Sequence, residues 1–134
     1  MIAIEYIPEG SLDFPLIRLF EFNADDAAKL QAACDALAAG ETAEVKLEAM
    51  PWVRPIGGRR LWPRACAKNR GVRTTSPDGR APKFASQPFV MEYNREGWSE
   101  VAEKLGPFLA GSEGFQWLTN EGDVNVLISQ DGQW

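Results

Sequence analysis

Residues 21–40 read Glu-Phe-Asn-Ala-Asp-Asp-Ala-Ala-Lys-Leu-Gln-Ala-Ala-Cys-Asp-Ala-Leu-Ala-Ala-Gly, and this stretch decides the fold. Asn23 is a good N-cap, because its side-chain oxygen can accept from an N–H that the first helical turn leaves unpaired. Asp25 and Asp26 put negative charge where the helix dipole favours it. Ala27, Leu30, Cys34, Leu37 and Ala38 recur at helical spacing and give one apolar face, and Gly40 supplies a C-terminal stop. The same punctuation returns 71 positions on, where Glu92-Tyr93-Asn94 opens a helix and Ala110-Gly111 closes it. Val101, Leu105 and Phe108 then overlay Leu30, Cys34 and Leu37. This second helix is expected from about Arg95 to Leu109, with Trp98 on its apolar face and Pro107 weakening its last turn.

Strands are expected on either side of both helices. Ile2 to Ile7 alternates in hydrophobicity and is stopped by Pro8-Glu9-Gly10, and Pro15 to Phe22 reads as a more buried strand. Thr42 to Ala49 sets Ala43, Val45 and Leu47 against Glu44, Lys46 and Glu48, a half-exposed strand. Six of the nine prolines fall between Pro51 and Pro88, so regular structure should be broken there. Arg59 to Ala67 is still expected as a strand, with Pro63 making it an edge or a bulge. Asn69 to Lys83 reads as a long loop, and loops of that length inside a domain are often functional. Phe89 to Tyr93 is a further strand, and Phe115 to Leu118 with Val124 to Ser129 forms a hairpin.

This element order argues an α+β domain over residues 1–134: a mixed, mainly antiparallel sheet of about six strands with two helices on one face. The echo suggests two strand-helix-strand-strand units. A chain of 134 residues with 45% apolar content suits one hydrophobic core. Met1-Ile2-Ala3-Ile4-Glu5 carries no basic leader, and no apolar run approaches the ~18 residues of a membrane span, so a cytoplasmic protein without membrane association is expected.

Histidine is absent and cysteine occurs only twice, as Cys34 and Cys66. Ser-His and Cys-His nucleophile pairs and His-ligated zinc are therefore excluded, and a zinc site of thiolates alone would need more cysteines. Any chemistry would rest on carboxylates, Lys, Tyr or a hard metal held by oxygen. No set of residues singles itself out as catalytic, metal-binding or cofactor-binding, so the sequence argues for a non-catalytic protein more than for an enzyme.

Charge is the feature that points to a partner. Nine of the fourteen Lys and Arg residues lie between Arg54 and Lys83 with one acid, Asp78, a stretch of +8; the remaining five bases and eighteen acids make −13. Seven of these nine are Arg, whose planar fork suits carboxylate and phosphate, and Trp52 and Trp62 stand among them. The expected partner-binding residues are Trp52, Arg54, Arg59, Arg60, Trp62, Arg64, Arg70 and Arg73. Arg and Trp are favoured at interface centres, and an acidic body repels nucleic acid, so a protein or peptide partner is favoured over nucleic acid. Two alternatives follow from other residues. One is a small-molecule binder or enzyme with an aromatic pocket walled by Trp62, Phe89, Tyr93, Trp98 and Trp117. The other is an acidic inhibitor of immunity type, presenting carboxylates such as Asp25, Asp35, Glu44, Glu100 and Glu103 to a basic protein. The discriminating observation is whether the arginines share one open surface.

Overall fold

In a computed structural model that describes residues 1–11, 14–74, 88–111, 114–119 and 122–130, the chain opens with two antiparallel strands, β1 (Ile2–Ser11) and β2 (Phe14–Phe20). The stop expected at Pro8-Glu9-Gly10 is not a stop. The strand continues with its ladder irregular between Ile7 and Ser11, and such a bulge is where a strand can hold a proline, which has no N–H to give. Helix α1 (Ala24–Ala39) follows the expected punctuation. Asn23 accepts the Asp26 N–H at 2.9 Å while the Asp26 carboxylate accepts the Asn23 N–H at 3.3 Å, a reciprocal capping box.

Thr42 to Ala49 departs from the continuous strand expected. Only Glu44 forms a bridge, to Arg64, flanked by Val45 N–H to Pro63 O at 2.8 Å and Ala65 N–H to Ala43 O at 2.9 Å. The chain then turns through a 3₁₀ segment, Leu47–Ala49, into β3 (Val53–Pro55). Val45 and Leu47 are buried as the alternation requires, but a turn rather than a strand brings Leu47 inward. Strand β4 (Arg60–Ala65) holds Pro63 without a break. Pro63 presents its carbonyl to Val45, so its missing N–H falls on the side of the short flanking segment and not on the main ladder.

Strand β5 (Gly71–Thr74) lies inside the stretch expected to be a loop, and residues 75–83 of that stretch lie outside the described residues. After β6 (Pro88–Tyr93) come α2 (Arg95–Lys104) and a short α3 (Gly106–Leu109). The single helix expected over 95–109 is divided at Leu105, because Pro107 cannot donate into the preceding turn and is tolerated only at a helix start. The expected hairpin is present as β7 (Phe115–Thr119) and β8 (Asn125–Ser129).

The α+β class with mixed pairing stands, with eight strands shared between two sheets. The larger has the order β3-β1-β2-β8-β7 and the smaller β4-β6-β5. Their connectivity gives the echo a physical meaning. The antiparallel pair β1–β2 has its counterpart in β5–β6, and each is extended by a parallel strand from the other half: β8 beside β2, and β4 beside β6. Each half begins strand, strand, helix, and the halves exchange later segments, the Glu44 segment and β4 for β7 and β8, while β3 stays beside β1 of its own half. Helices α1 and α2 pack together, and Gln31 Nε2 donates to the Ala102 carbonyl at 3.0 Å across exactly the 71-residue offset of the echo. Inward residues of both sheets and both long helices share one buried cluster, including Ile4, Leu19, Leu30, Leu61, Met91 and Trp98.

Candidate functional site

Strand alternation sorts the middle third of the chain onto two faces. In β4, Leu61 and Pro63 are buried while Arg60 is exposed and Trp62 and Arg64 are half-buried. Leu61 and Pro63 face the core, so Arg60, Trp62 and Arg64 stand on the opposite face of the three-stranded sheet. Register carries that face across the strands: Trp62 lies opposite Val90, and Val90 opposite Arg73; Arg64 lies opposite Glu92. Four of the eight expected residues, Arg60, Trp62, Arg64 and Arg73, are thereby brought onto one outer face.

Much of that face is held by the protein's own acids. Arg64 Nε and Nη2 reach Glu44 Oε2 at 2.8 and 2.6 Å, and Arg73 Nη1 lies 3.7 Å from Glu92 Oε1. The result is an alternating row of charge, Glu44, Arg64, Glu92 and Arg73, running across the strands. Trp62 is fixed from two sides, its Nε1–H donating to Glu48 Oε1 at 2.6 Å and the Lys46 ammonium lying 4.7 Å from its ring centre. Arg60 is exposed and its side chain has no hydrogen bond or ion pair among the described residues.

The other four residues lie elsewhere. Arg54, on β3 of the larger sheet, pairs with exposed Glu21 at 2.5 Å. Trp52 is half-buried against the core, and its carbonyl accepts the Ile2 N–H at 2.8 Å. The Arg59 guanidinium lies 5.1 Å from the centre of the Tyr6 ring, which packs on Phe89. Burial raises the Tyr6 pKa, and the Arg59 charge opposes that rise. Arg70 is exposed just before β5, its backbone N–H bound to the Glu92 carbonyl. The arginines are thus shared between two sheets, and those on the outer face are interleaved with carboxylates.

Of the two acids in this ladder, Glu44 belongs to a pattern in the sequence and Glu92 does not. Glu44-x-Lys46-x-Glu48 alternates in step with Arg60-x-Trp62-x-Arg64, which is the signal that the two segments could lie side by side with charged faces together.

The aromatic residues do not wall one pocket. Trp98 is fully buried, its Nε1–H donating to the Arg64 carbonyl at 2.9 Å, while Trp62 stands on the outer face and Trp117 on β7. Tyr93 is buried in edge-to-face contact with Trp98 and hydrogen-bonded to Thr119. A void of about 10 Å³ remains in the core, lined by apolar groups that include Leu30, Leu61, Met91, Trp98 and the Cys34 side chain. Burial, with the neighbouring Asp35 charge, pushes the Cys34 thiol up to about 12, so it is an inert packing group. Among the described residues no cluster of three metal-ligating side chains occurs, and no helix is long and apolar enough to cross a membrane. No family model, curated protein or solved structure matches the chain.

Proposed function

We propose that this is a small non-catalytic binding protein that engages an acidic protein or peptide through the outer face of β4, β6 and β5. The observation that carries the reading is the gathering of Arg60, Trp62, Arg64 and Arg73 on that face. Arg60 is the residue offered first, since its side chain has no partner among the described residues. Arg64 and Arg73 join by exchanging Glu44 and Glu92 for carboxylates of the partner, a swap that conserves their charge-assisted bonds. Trp62 supplies the aromatic anchor, already oriented by Glu48 and Lys46. Two free cysteines fit a reducing compartment, and we place the protein in the cytoplasm.

The test is a titration of the isotope-labelled protein with a poly-glutamate peptide, with a generic oligonucleotide in a parallel arm. The expected result is a shift of the Trp62 indole signal on adding the peptide, with binding weakened ~10-fold by Arg60→Glu at an unchanged melting temperature. An unmoved Trp62 signal at saturating peptide overturns the reading. Tighter binding of the oligonucleotide, falling steeply with salt, replaces it with nucleic-acid binding.

A further inference from the structure

The edge of the larger sheet formed by β7 is unlike the other sheet edges among the described residues. At the far side of that sheet β3 carries Arg54 and Pro55. In the smaller sheet β4 is flanked by the Glu44 bridge, and β5 by a bridge from Val72 to Val124. Charge, proline and covering segments are the means by which sheets protect their edges. Strand β7 reads Phe115-Gln116-Trp117-Leu118-Thr119, with neither charge nor proline, and its first half is open: Phe115 is 50% exposed, Gln116 exposed and Trp117 half-buried.

Backbone direction makes this edge usable. The Trp117 carbonyl is met by the side-chain amide of Gln116 at 3.1 Å, which sets it away from β8. The N–H and C=O of one strand residue point to the same side, and sides alternate along the strand. Phe115 therefore presents its N–H and C=O outward together with Trp117.

We propose that β7 is a self-association edge, occupied by β7 of a second copy running antiparallel about a twofold axis through Gln116. Phe115 of each copy then exchanges backbone hydrogen bonds with Trp117 of the other, and the two Gln116 side chains meet at the axis. The register sets two aromatic cross-strand pairs, Phe115 against Trp117, on one face. Charge allows it, because no charged residue lies on the paired segment although each copy carries −5 overall. Symmetry selects a second copy as the occupant: a twofold interface uses one patch twice, so a single open edge closes a dimer, whereas head-to-tail pairing needs two. So short a contact falls well below the ~800 Å² per partner of a standard interface, and the association is weak and concentration-dependent.

Sedimentation equilibrium of the full chain, over a concentration series reaching the millimolar range, tests this together with amide hydrogen exchange at each concentration. The expected result is a monomer–dimer equilibrium in which the Phe115 and Trp117 amides gain protection as dimer forms. Gln116→Lys, which sets like charges directly opposite one another, should weaken it at least ~10-fold with unchanged circular dichroism and melting temperature. Phe115→Lys at a second exposed position gives an independent reading with the same expectation. A monomer at all concentrations, a dimer indifferent to both substitutions, or protection gained away from β7 overturns the proposal.

Discussion

Replacing Arg64 and Glu44 by alanine, singly and together, measures how firmly the outer face of the smaller sheet is held. Arg64 reaches one Glu44 oxygen through two nitrogens, at 2.8 and 2.6 Å, beside the bridge that attaches residues 43–45 to β4. The side chains keep 39% and 28% of their exposure, so water screens the pair, and the expected coupling is ~0.5–1 kcal/mol, not the ~3–5 kcal/mol lost on breaking a buried pair. For a chain of 134 residues, an unfolding entropy of ~2.1 cal/mol/K per residue makes 1 kcal/mol worth ~3–4 °C in Tm. Urea unfolding of the four proteins at low and at high salt gives the coupling from the double-mutant cycle, which should fall on adding salt. A coupling of zero at low salt would show that the contact does not hold Arg64. A coupling above ~2 kcal/mol would show a desolvated pair and remove Arg64 from the groups a partner can recruit. The intermediate value matters to the functional reading, because a pair worth ~1 kcal/mol is weak enough for another carboxylate to displace.

Gly122 sits at φ +83 with an added Cβ 2.4 Å from the Val72 carbonyl oxygen; Gly122→Ala should cost at least ~2 kcal/mol in urea unfolding by strain and backbone collision. Asn23→Ala removes the capping box of α1 and should cost ~1–2 kcal/mol by the same assay. In thiol labelling at pH 8, half-buried Cys66 should react in the folded protein and Cys34 only after denaturant is added. Cys34 also sets an alkaline limit. Folding raises its pKa from 9.0 to about 12, so its contribution is full below pH ~9 and declines by ~1.4 kcal/mol per pH unit as pH rises towards the folded value. Cys34→Ala should flatten that decline in urea unfolding measured between pH 8 and 11.

Local punctuation was legible in the sequence, and the assembly of the elements was not. Asn23 acts on Asp26 within the first turn of α1 and Gly40 on Ala36 and Leu37 within the last, so the start and stop of the helix could each be read from neighbouring residues. The division of the second helix was half legible: Pro107 marked the place, but the short α3 that restarts there depends on Phe108 reaching the core. Strand β5 was hidden because Gly71-Val72-Arg73-Thr74 has one buried apolar residue to show, and its ladder is made with β6, on the far side of a long connection. The partition into two sheets was likewise illegible, since nothing local says that β8 lies beside β2 and not beside β6. Among the site residues, Arg60, Trp62 and Arg64 were readable as one face of a strand. That Glu44 and Glu92 take two of the ladder's guanidinium groups follows only from register between distant segments.

The exchange of later segments explains why the two candidate surfaces lie where they do. Positions that are equivalent in connectivity are free to differ in chemistry wherever they face away from the shared core. The outer edge contributed after α1 is the Glu44 segment, charged on alternate residues and attached to β4 by backbone hydrogen bonds beside the Arg64 pair. Its counterpart after α2 is β7, neutral, aromatic and open. The strands just inside them differ in burial: β4 turns exposed Arg60 and half-buried Trp62 and Arg64 away from the core, whereas on the corresponding face of β8 Leu127 and Ser129 are fully buried and Asn125 is half-buried. Inward residues such as Leu61 and Val126 stay apolar in both because they meet in one core. A sheet that must bury one face in common with its counterpart can diverge only at its edge and its other face. In this chain one half has put charge there and the other has left a neutral edge at β7, so the two proposed interfaces share no residues.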